Sequence, residues 1–204
     1  MLKLKKIAVT GGLAAGKTTV CQLFKDLGAY VVSADEIVHQ LLSPETAVGQ
    51  QVISLLGSDI ISGHEFYRKK IAAKVFTKPD LLRTLEEIIH PAVFDEIERR
   101  YQQAQKEKYT LFIAEIPLLF ESEREDHFDA VISVYTDPDI SLQRFIDKSR
   151  QPAEEFEKRM MRQIEPRQKS AKANYMIENN GNFEQLKATV KTIYTQIAQE
   201  LLQG

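Results

Sequence analysis

The sequence predicts an α/β fold: a doubly wound, five-stranded parallel sheet. Three observations carry that expectation. Short apolar runs alternate with stretches whose apolar residues recur at helical spacing. The two longest runs, 111–116 and 130–135, are almost continuously apolar, as parallel strands covered on both faces must be. Each strand is separated from the next by enough chain for a right-handed helical crossover.

The first strand is Ile7-Ala8-Val9-Thr10, stopped by Gly11-Gly12. After Lys17, Val20, Leu23, Phe24 and Leu27 place one apolar stripe on a helix that Gly28 ends. Tyr30-Val31-Val32 is a second strand, and Ile37, Val38, Leu41 and Leu42 repeat the helical spacing before Pro44. From about 44 to 107 only helices are expected. Val52, Leu55 and Leu56 mark one, closed by Gly57. Leu81, Leu82, Leu85, Ile88 and Ile89 mark another, ending at His90 because Pro91 disfavours helix in the residue before it. Pro91 then suits the first turn of a helix carrying Val93, Ile97 and Tyr101. The runs 111–116 and 130–135 are strands three and four. Asp137-Pro138 opens a helix with Leu142, Phe145 and Ile146. Tyr175-Met176-Ile177 is the last strand, Asn179-Asn180-Gly181 a turn, and Leu186, Val190, Ile193, Ile197 and Leu201 the stripe of a final helix.

This organisation is one domain over 1–204 with two inserts, a helical one at 44–107 and a short one at 138–172. The second carries Arg144, Lys148, Arg150, Lys158, Arg159, Arg162, Arg167, Lys169 and Lys172, and it is net positive in a chain of net charge −2. A local positive field suits a small polyanion better than a duplex, and the balance of 27 Lys+Arg against 29 Asp+Glu excludes a global basic field for nucleic acid. With 43% hydrophobic and 27% charged residues, wholesale disorder is excluded too. Cys21, the one cysteine, can form neither an internal disulfide nor a zinc cluster. No apolar run approaches a membrane span, and Met1-Leu2-Lys3-Leu4-Lys5-Lys6 leads into no secretory h-region. A soluble, cytoplasmic protein without nucleic-acid or membrane partners is expected.

Gly11-Gly12-Leu13-Ala14-Ala15-Gly16-Lys17-Thr18 fits G-x-x-x-x-G-K-[ST], between a strand and a helix. Glycines allow a tight loop whose N–H groups turn inward on phosphate oxygens, and the following helix adds its free N–H groups and dipole. Lys17 then reaches the β/γ-phosphates and the Thr18 hydroxyl ligates Mg²⁺. Neither Asn-Lys-x-Asp nor Asp-x-x-Gly occurs, which argues against a GTPase switch. A helical insert that grips an acceptor and a basic lid that closes over donor phosphates instead describe a small-molecule kinase.

Several residues have two readings. Asp35, just past strand two, is a general base for an acceptor hydroxyl or the N-cap of the next helix. Glu115, ending strand three, holds Mg²⁺ through water or positions the acceptor, or is a buried carboxylate accepting local N–H bonds. Arg144 is an arginine finger in cis or a solvated side chain. His90 is a cap or packed residue at a helix junction; His39, His64 and His127 are surface residues; Cys21 is packed rather than reactive.

The ordered set of motifs resembles the dephospho-CoA kinase family over nearly the whole chain. It comprises the loop from Gly11 to Thr19, Val32-Ser33-Ala34-Asp35, Arg68-Lys69-Lys70 with Val75-Phe76 downstream, Ile89-His90-Pro91, Ile116-Pro117-Leu118-Leu119-Phe120-Glu121 and Asn179-Asn180-Gly181. The resemblance implies transfer of the ATP γ-phosphate to the ribose 3′-hydroxyl of dephospho-CoA, with a nucleotide core, an acceptor-binding helical part and a lid. It implies ATP held by Gly12, Leu13, Ala14, Ala15, Gly16, Lys17, Thr18 and Thr19, with Arg144 and Asn179. The acceptor meets Asp35, Arg68, His90 and Leu118. Mg²⁺ sits at Thr18 and, through water, at Glu115. Asp35 becomes the base, with Lys17 and Arg144 the other catalytic groups. Four departures stand out. Ala14 replaces a usual glycine, so the loop is expected to close there without positive φ; Ser33 replaces the first Asp of an Asp-Ala-Asp segment; Tyr67 replaces a common Asp; and Lys148 replaces an Arg, losing its bidentate fork. Another P-loop kinase acting on a nucleoside or nucleotide, or a non-catalytic nucleotide-binding regulator, are the other readings of the same loop.

Overall fold

The computed structural model describes residues 4–203; the first three residues of the N-terminal segment read for a secretory signal lie outside them. Five strands, β1 (Lys5–Gly11), β2 (Tyr30–Ser33), β5 (Leu111–Glu115), β6 (Ala130–Tyr135) and β7 (Tyr175–Glu178), form one parallel sheet in the order β2-β5-β1-β6-β7. β1 is central. Its register sets Val9 opposite Glu115 on one side and Ile132 on the other, so Glu115 ends beside the start of the glycine loop. Ligands bind at such carboxyl edges, where the chain leaves the central strand toward both halves of the sheet.

Two helices cover one sheet face. α1 (Lys17–Asp26) contributes Val20, Leu23 and Phe24, and α9 (Phe183–Gln203) contributes Leu186, Val190, Ile193 and Ile197; these pack with Ile7, Val9, Ile132, Val134 and Ile177. α9 starts with a reciprocal cap: Asn182 Oδ1 accepts the Gln185 N–H at 3.0 Å, and Gln185 Oε1 accepts the Asn182 N–H at 2.9 Å. The segment after β6 forms α6 (Pro138–Ser149), α7 (Ala153–Met160) and α8 (Pro166–Lys172); α8 packs on β6, where the Ser133 and Ser170 hydroxyls meet at 3.1 Å.

Contacts divide the chain into two compact units, one over Ser33–Arg100 and one over the remainder. The first holds α2 (Ala34–Leu41), α3 (Ala47–Leu56), the short strands β3 (Ile61–Ser62) and β4 (Glu65–Phe66), α4 (Arg68–Val75) and most of α5 (Pro79–Lys106). Val52, Leu56, Ile60, Phe66, Ile71, Val75 and Leu85 form its core.

Two sequence expectations for this region fail. β3 and β4 form an antiparallel hairpin where only helices were expected. Strands of two residues are too short to show a period of two, and the turn rests on Gly63 at φ +65°. α5 also runs straight through Pro91 instead of ending at His90. Pro91 is exposed, so the hydrogen bond it removes frees the Glu87 carbonyl on a solvent-facing stretch, where water can replace it.

Within this unit an arginine held by an ion pair on α5 ties α2 to α5 through a hydrogen bond. The Arg99 and Arg100 guanidinium Nε atoms each lie 2.7 Å from the Glu96 carboxylate, and Arg100 Nη2 donates to Gln40 Oε1 at 2.6 Å. Arg99, with Arg100 assisting and against some burial, holds the Glu96 carboxyl down at about 2. A carboxylate depressed on folding adds stability above its unfolded pKa of about 4.3 and loses it as pH falls through the folded value. Glu96→Gln is therefore expected to be less stable than the parent at pH 7, with the gap in unfolding free energy closing between about pH 4.5 and 2. Urea titrations across that window test this; a gap independent of pH rejects the assignment.

Candidate active site

The glycine loop is shaped by what crowds it. A Cβ on Gly11 would lie 2.2 Å from the Val134 carbonyl oxygen, so only glycine lets β1 leave the sheet this close to β6. Gly16 precedes α1 at φ +95°, and a Cβ there would lie 2.3 Å from Asn179 Nδ2. Ala14 corrects a sequence expectation: it does adopt positive φ, at +56°. Turning successive N–H groups toward one anion needs residues of alternating hand, and a left-handed alanine costs about 1 kcal/mol. Contacts behind the loop offset that strain. Asn179 Nδ2 donates to the Ala15 carbonyl at 2.8 Å, the Thr136 hydroxyl lies 3.1 Å from the same oxygen, and the Ala15 N–H donates to Gly12 O at 3.3 Å. Asn179 and Thr136 are both buried. Asn179 thus grips the loop itself, and Thr136 is a loop support that sequence reasoning missed, because no local motif marks it.

Lys17 folds back across the loop, donating to Gly11 O at 3.1 Å and Gly12 O at 2.8 Å. The Thr18 hydroxyl donates to Glu115 Oε1 at 2.8 Å. Glu115 is buried in β5, so hydroxyl and carboxylate form a paired oxygen set beside the loop. Leu13 is half-buried, Ala15 is buried and Thr19 is exposed. Cys21 is buried; desolvation, with the Glu115 carboxylate adding and Lys17 opposing, pushes its thiol well above the ordinary range, consistent with a packed, inert role.

Arg144, half-buried on α6, points Nη1 at the Thr136 hydroxyl, 3.4 Å away. Leu118 stands exposed on the loop after β5. The basic segment 138–172 keeps most of its charge at the surface, with several of its basic residues engaged within the protein. The Arg167 guanidinium lies 5.0 Å from the Tyr135 ring centroid, Lys158 pairs with Glu155, and Lys169 is fully buried against Glu121.

The remaining candidates lie in the Ser33–Arg100 unit. Ser33, not Asp35, caps α2: its hydroxyl accepts the Glu36 N–H at 3.5 Å. Serine and aspartate cap equally well, so the departure at Ser33 leaves the helix start intact. Asp35 sits exposed in the first turn and its carboxylate, among the described residues, makes no hydrogen bond or ion pair. Arg68 begins α4 and contacts His39 Nδ1, one turn beyond Asp35 on α2. His39 is therefore more than an isolated surface residue; the pairing joins positions 29 apart in sequence and leaves no local signal. His90 is half-buried within α5 rather than at a junction, and His64 is exposed in the β3–β4 turn.

The loop fits a polyphosphate, since Gly11, Ala14 and Gly16 hold a backbone bend with a lysine and a hydroxyl at its mouth. Among the described residues no cluster of three metal-ligating side chains occurs. The Thr18–Glu115 pair fits Mg²⁺, which takes one or two protein oxygens and completes its shell with phosphate and water. Among the described residues no helix is long and apolar enough to cross a membrane. Gly16→Ala is expected to lower stability by about 2 kcal/mol, combining positive φ with the Asn179 contact, and to abolish nucleotide binding. Thermal melts with a fluorescent nucleotide titration check it; parent-like values in both would show that Asn179 is not a fixed wall.

The protein resembles known ones closely. The family model described as dephospho-CoA kinase matches residues 5–185. Dephospho-CoA kinase of Protochlamydia amoebophila is 48% identical over 199 residues, covering 97% of this chain and 98% of that protein. That of Chlamydia trachomatis serovar A is 46% identical over 195 residues, covering 95% and 96%. Among solved structures, dephospho-CoA kinase from Campylobacter jejuni superposes with a TM-score of 0.71 at 26% identity, covering 95% of this chain and 97% of the other. Shikimate kinase from Acinetobacter baumannii, at 17% identity, TM-score 0.55 and coverage of 98% and 96%, shares the fold alone. With the family model spanning most of the chain and relatives this similar over almost their full length, the chain belongs to the dephospho-CoA kinase family.

Proposed function

We propose that the protein transfers the γ-phosphate of ATP to the ribose 3′-hydroxyl of dephospho-CoA, giving coenzyme A and ADP. The observation that carries this reading is the division of chemistry between the units: a braced phosphate loop with Lys17, Thr18 and Glu115 in one, an unpaired carboxylate beside a guanidinium-bearing helix in the other. The loop amides bind the donor phosphates, and Lys17 exchanges the Gly11 and Gly12 carbonyls for phosphate oxygens. Thr18 and, through water, Glu115 would hold Mg²⁺, which would supply positive charge to the donor phosphates. Arg144 adds positive charge at the transferring group. Asp35 orients the acceptor hydroxyl and takes its proton, while Arg68, His90 and Leu118 hold the acceptor. Helices in the 138–172 segment close over the donor and exclude water. The cytoplasm, where the thiol of Cys21 stays reduced, is its compartment.

Incubation with ATP, Mg²⁺ and dephospho-CoA should add one phosphate to the acceptor, far faster than to AMP, uridine or shikimate. Mass spectrometry of the products reads this directly. Phosphate on AMP with none on dephospho-CoA removes the acceptor assignment and leaves a nucleotide kinase; ATP binding without transfer to any acceptor leaves a regulator.

Since Ser33 supplies the cap, Asp35 can be replaced with little effect on folding. Asp35→Asn and Asp35→Ala should both keep stability within about 1 kcal/mol, losing only a first-turn dipole interaction. Both should lower kcat about 10²- to 10³-fold with ATP affinity almost unchanged, because the loose transition state makes positioning as important as proton removal. Activity within threefold of the parent in Asp35→Asn would move the base elsewhere, with Glu115 next to be tested.

A further inference from the structure

By sequence Lys169 counts with the basic residues of the lid. In the structure its side chain is fully buried on α8. Nζ lies 2.7 Å from Glu121 Oε1 and donates to the Pro117 carbonyl at 3.0 Å. Each partner is shared. Glu121 Oε1 also accepts the Ile164 N–H at 2.8 Å, and the Pro117 carbonyl also accepts the Thr10 hydroxyl at 3.2 Å. One ammonium therefore joins the end of β1, the loop after β5 and the chain that leads into α8.

That loop is held along its length. It begins beyond Glu115 with the Ile116 N–H donating to Val9 O at 2.9 Å, and it buries Leu119 and Phe120, leaving Leu118 outward at 45% exposure. α8 is held as well: Pro166 lies 3.1 Å from where a Cβ on Gly12 would sit. A buried ion pair is a poor source of net stability, but it fixes one arrangement, because either charge left alone in the interior is strongly unfavourable. The nucleotide loop has its own support from Asn179 and Thr136, on the β6–β7 side. The two supports share no residue.

We infer that Lys169 is a positioning residue for the phosphoryl transfer. By clamping loop 116–121 to α8 it presents Leu118 to the acceptor in one geometry, and it ends the movable basic segment at Gln163, leaving 164–172 with the nucleotide core. The acceptor and the movable segment rest on the proposed function above; the clamp itself does not.

The test uses the full chain in two variants. Lys169→Met strands the Glu121 carboxylate and should melt about 10 °C lower. Lys169→Met with Glu121→Gln removes both charges, keeps an acceptor for the Ile164 N–H, and should recover most of that loss. In the double variant the KM for dephospho-CoA should rise about tenfold while the KM for ATP stays within about twofold, since the nucleotide loop keeps its support from Asn179 and Thr136. A stable double variant with both KM values unchanged, or with both raised equally, overturns the positioning role. Hydrogen exchange reads the clamp without turnover: in the double variant amides of 116–121 and 164–172 should exchange faster together, with 183–203 unchanged. Acceleration of one segment without the other overturns the clamp. Failure of the acceptor assignment appears separately, as a parent protein that does not phosphorylate dephospho-CoA.

Discussion

The glycine loop depends on the carbonyl of Ala15 being held from behind. To turn amides toward a phosphate the backbone must place Ala14 and Gly16 at positive φ, and a chain in that shape points carbonyls away from the ligand into the protein. A buried carbonyl needs a donor. Asn179 supplies it from the end of β7, with the Thr136 hydroxyl beside it, so the first loop of the chain is completed by residues far along it. In the sheet order, β6 and β7 lie on the side of β1 from which that support comes.

The groups proposed to act in the transfer are arranged by elements that are themselves over-determined. Glu115 is placed by the parallel register of β5 on β1 and meets Thr18 on the first turn of α1. Asp35 is placed by a helix whose start is capped by a different residue and whose far end is tied to α5 through Gln40 and Arg100. A carboxylate not occupied by capping or pairing is available to an acceptor, and the local cost of keeping it so is small because it sits in water. The same economy explains why serine at 33 and alanine at 14 are tolerated: one retains the cap, and the other incurs strain that neighbouring contacts absorb.

Charge reads differently in sequence and in space. Lys169 belongs by sequence to a basic patch and by structure to the interior, where Glu121 neutralises it. Arg167 and Arg159 lie over the rings of Tyr135 and Phe145, and Lys158 is paired on its own helix. Of the nine basic side chains in this segment, Lys169 is buried, Arg144 is half-buried with Nη1 aimed at the Thr136 hydroxyl, and the other seven are exposed, so most of the positive charge stays at the surface.

The amino-acid sequence by itself determined the sheet, the helix stripes and the phosphate loop. In each, the information is local: burial repeats with the period of the element, and the loop motif is contiguous. Val20, Leu23 and Phe24, and Leu186, Val190 and Ile193, are buried as their spacing requires. Tertiary structure alone decided the rest. The β3–β4 hairpin is too short for periodicity, α5 continues through Pro91 because the freed carbonyl faces water, and Ala14 takes positive φ because the loop around it demands that shape. Thr136 and Ala15 are 121 positions apart, and Lys169 and Pro117 are 52 apart. A hydrogen bond across such a separation exists only once the chain has folded, and no spacing rule in the sequence encodes it.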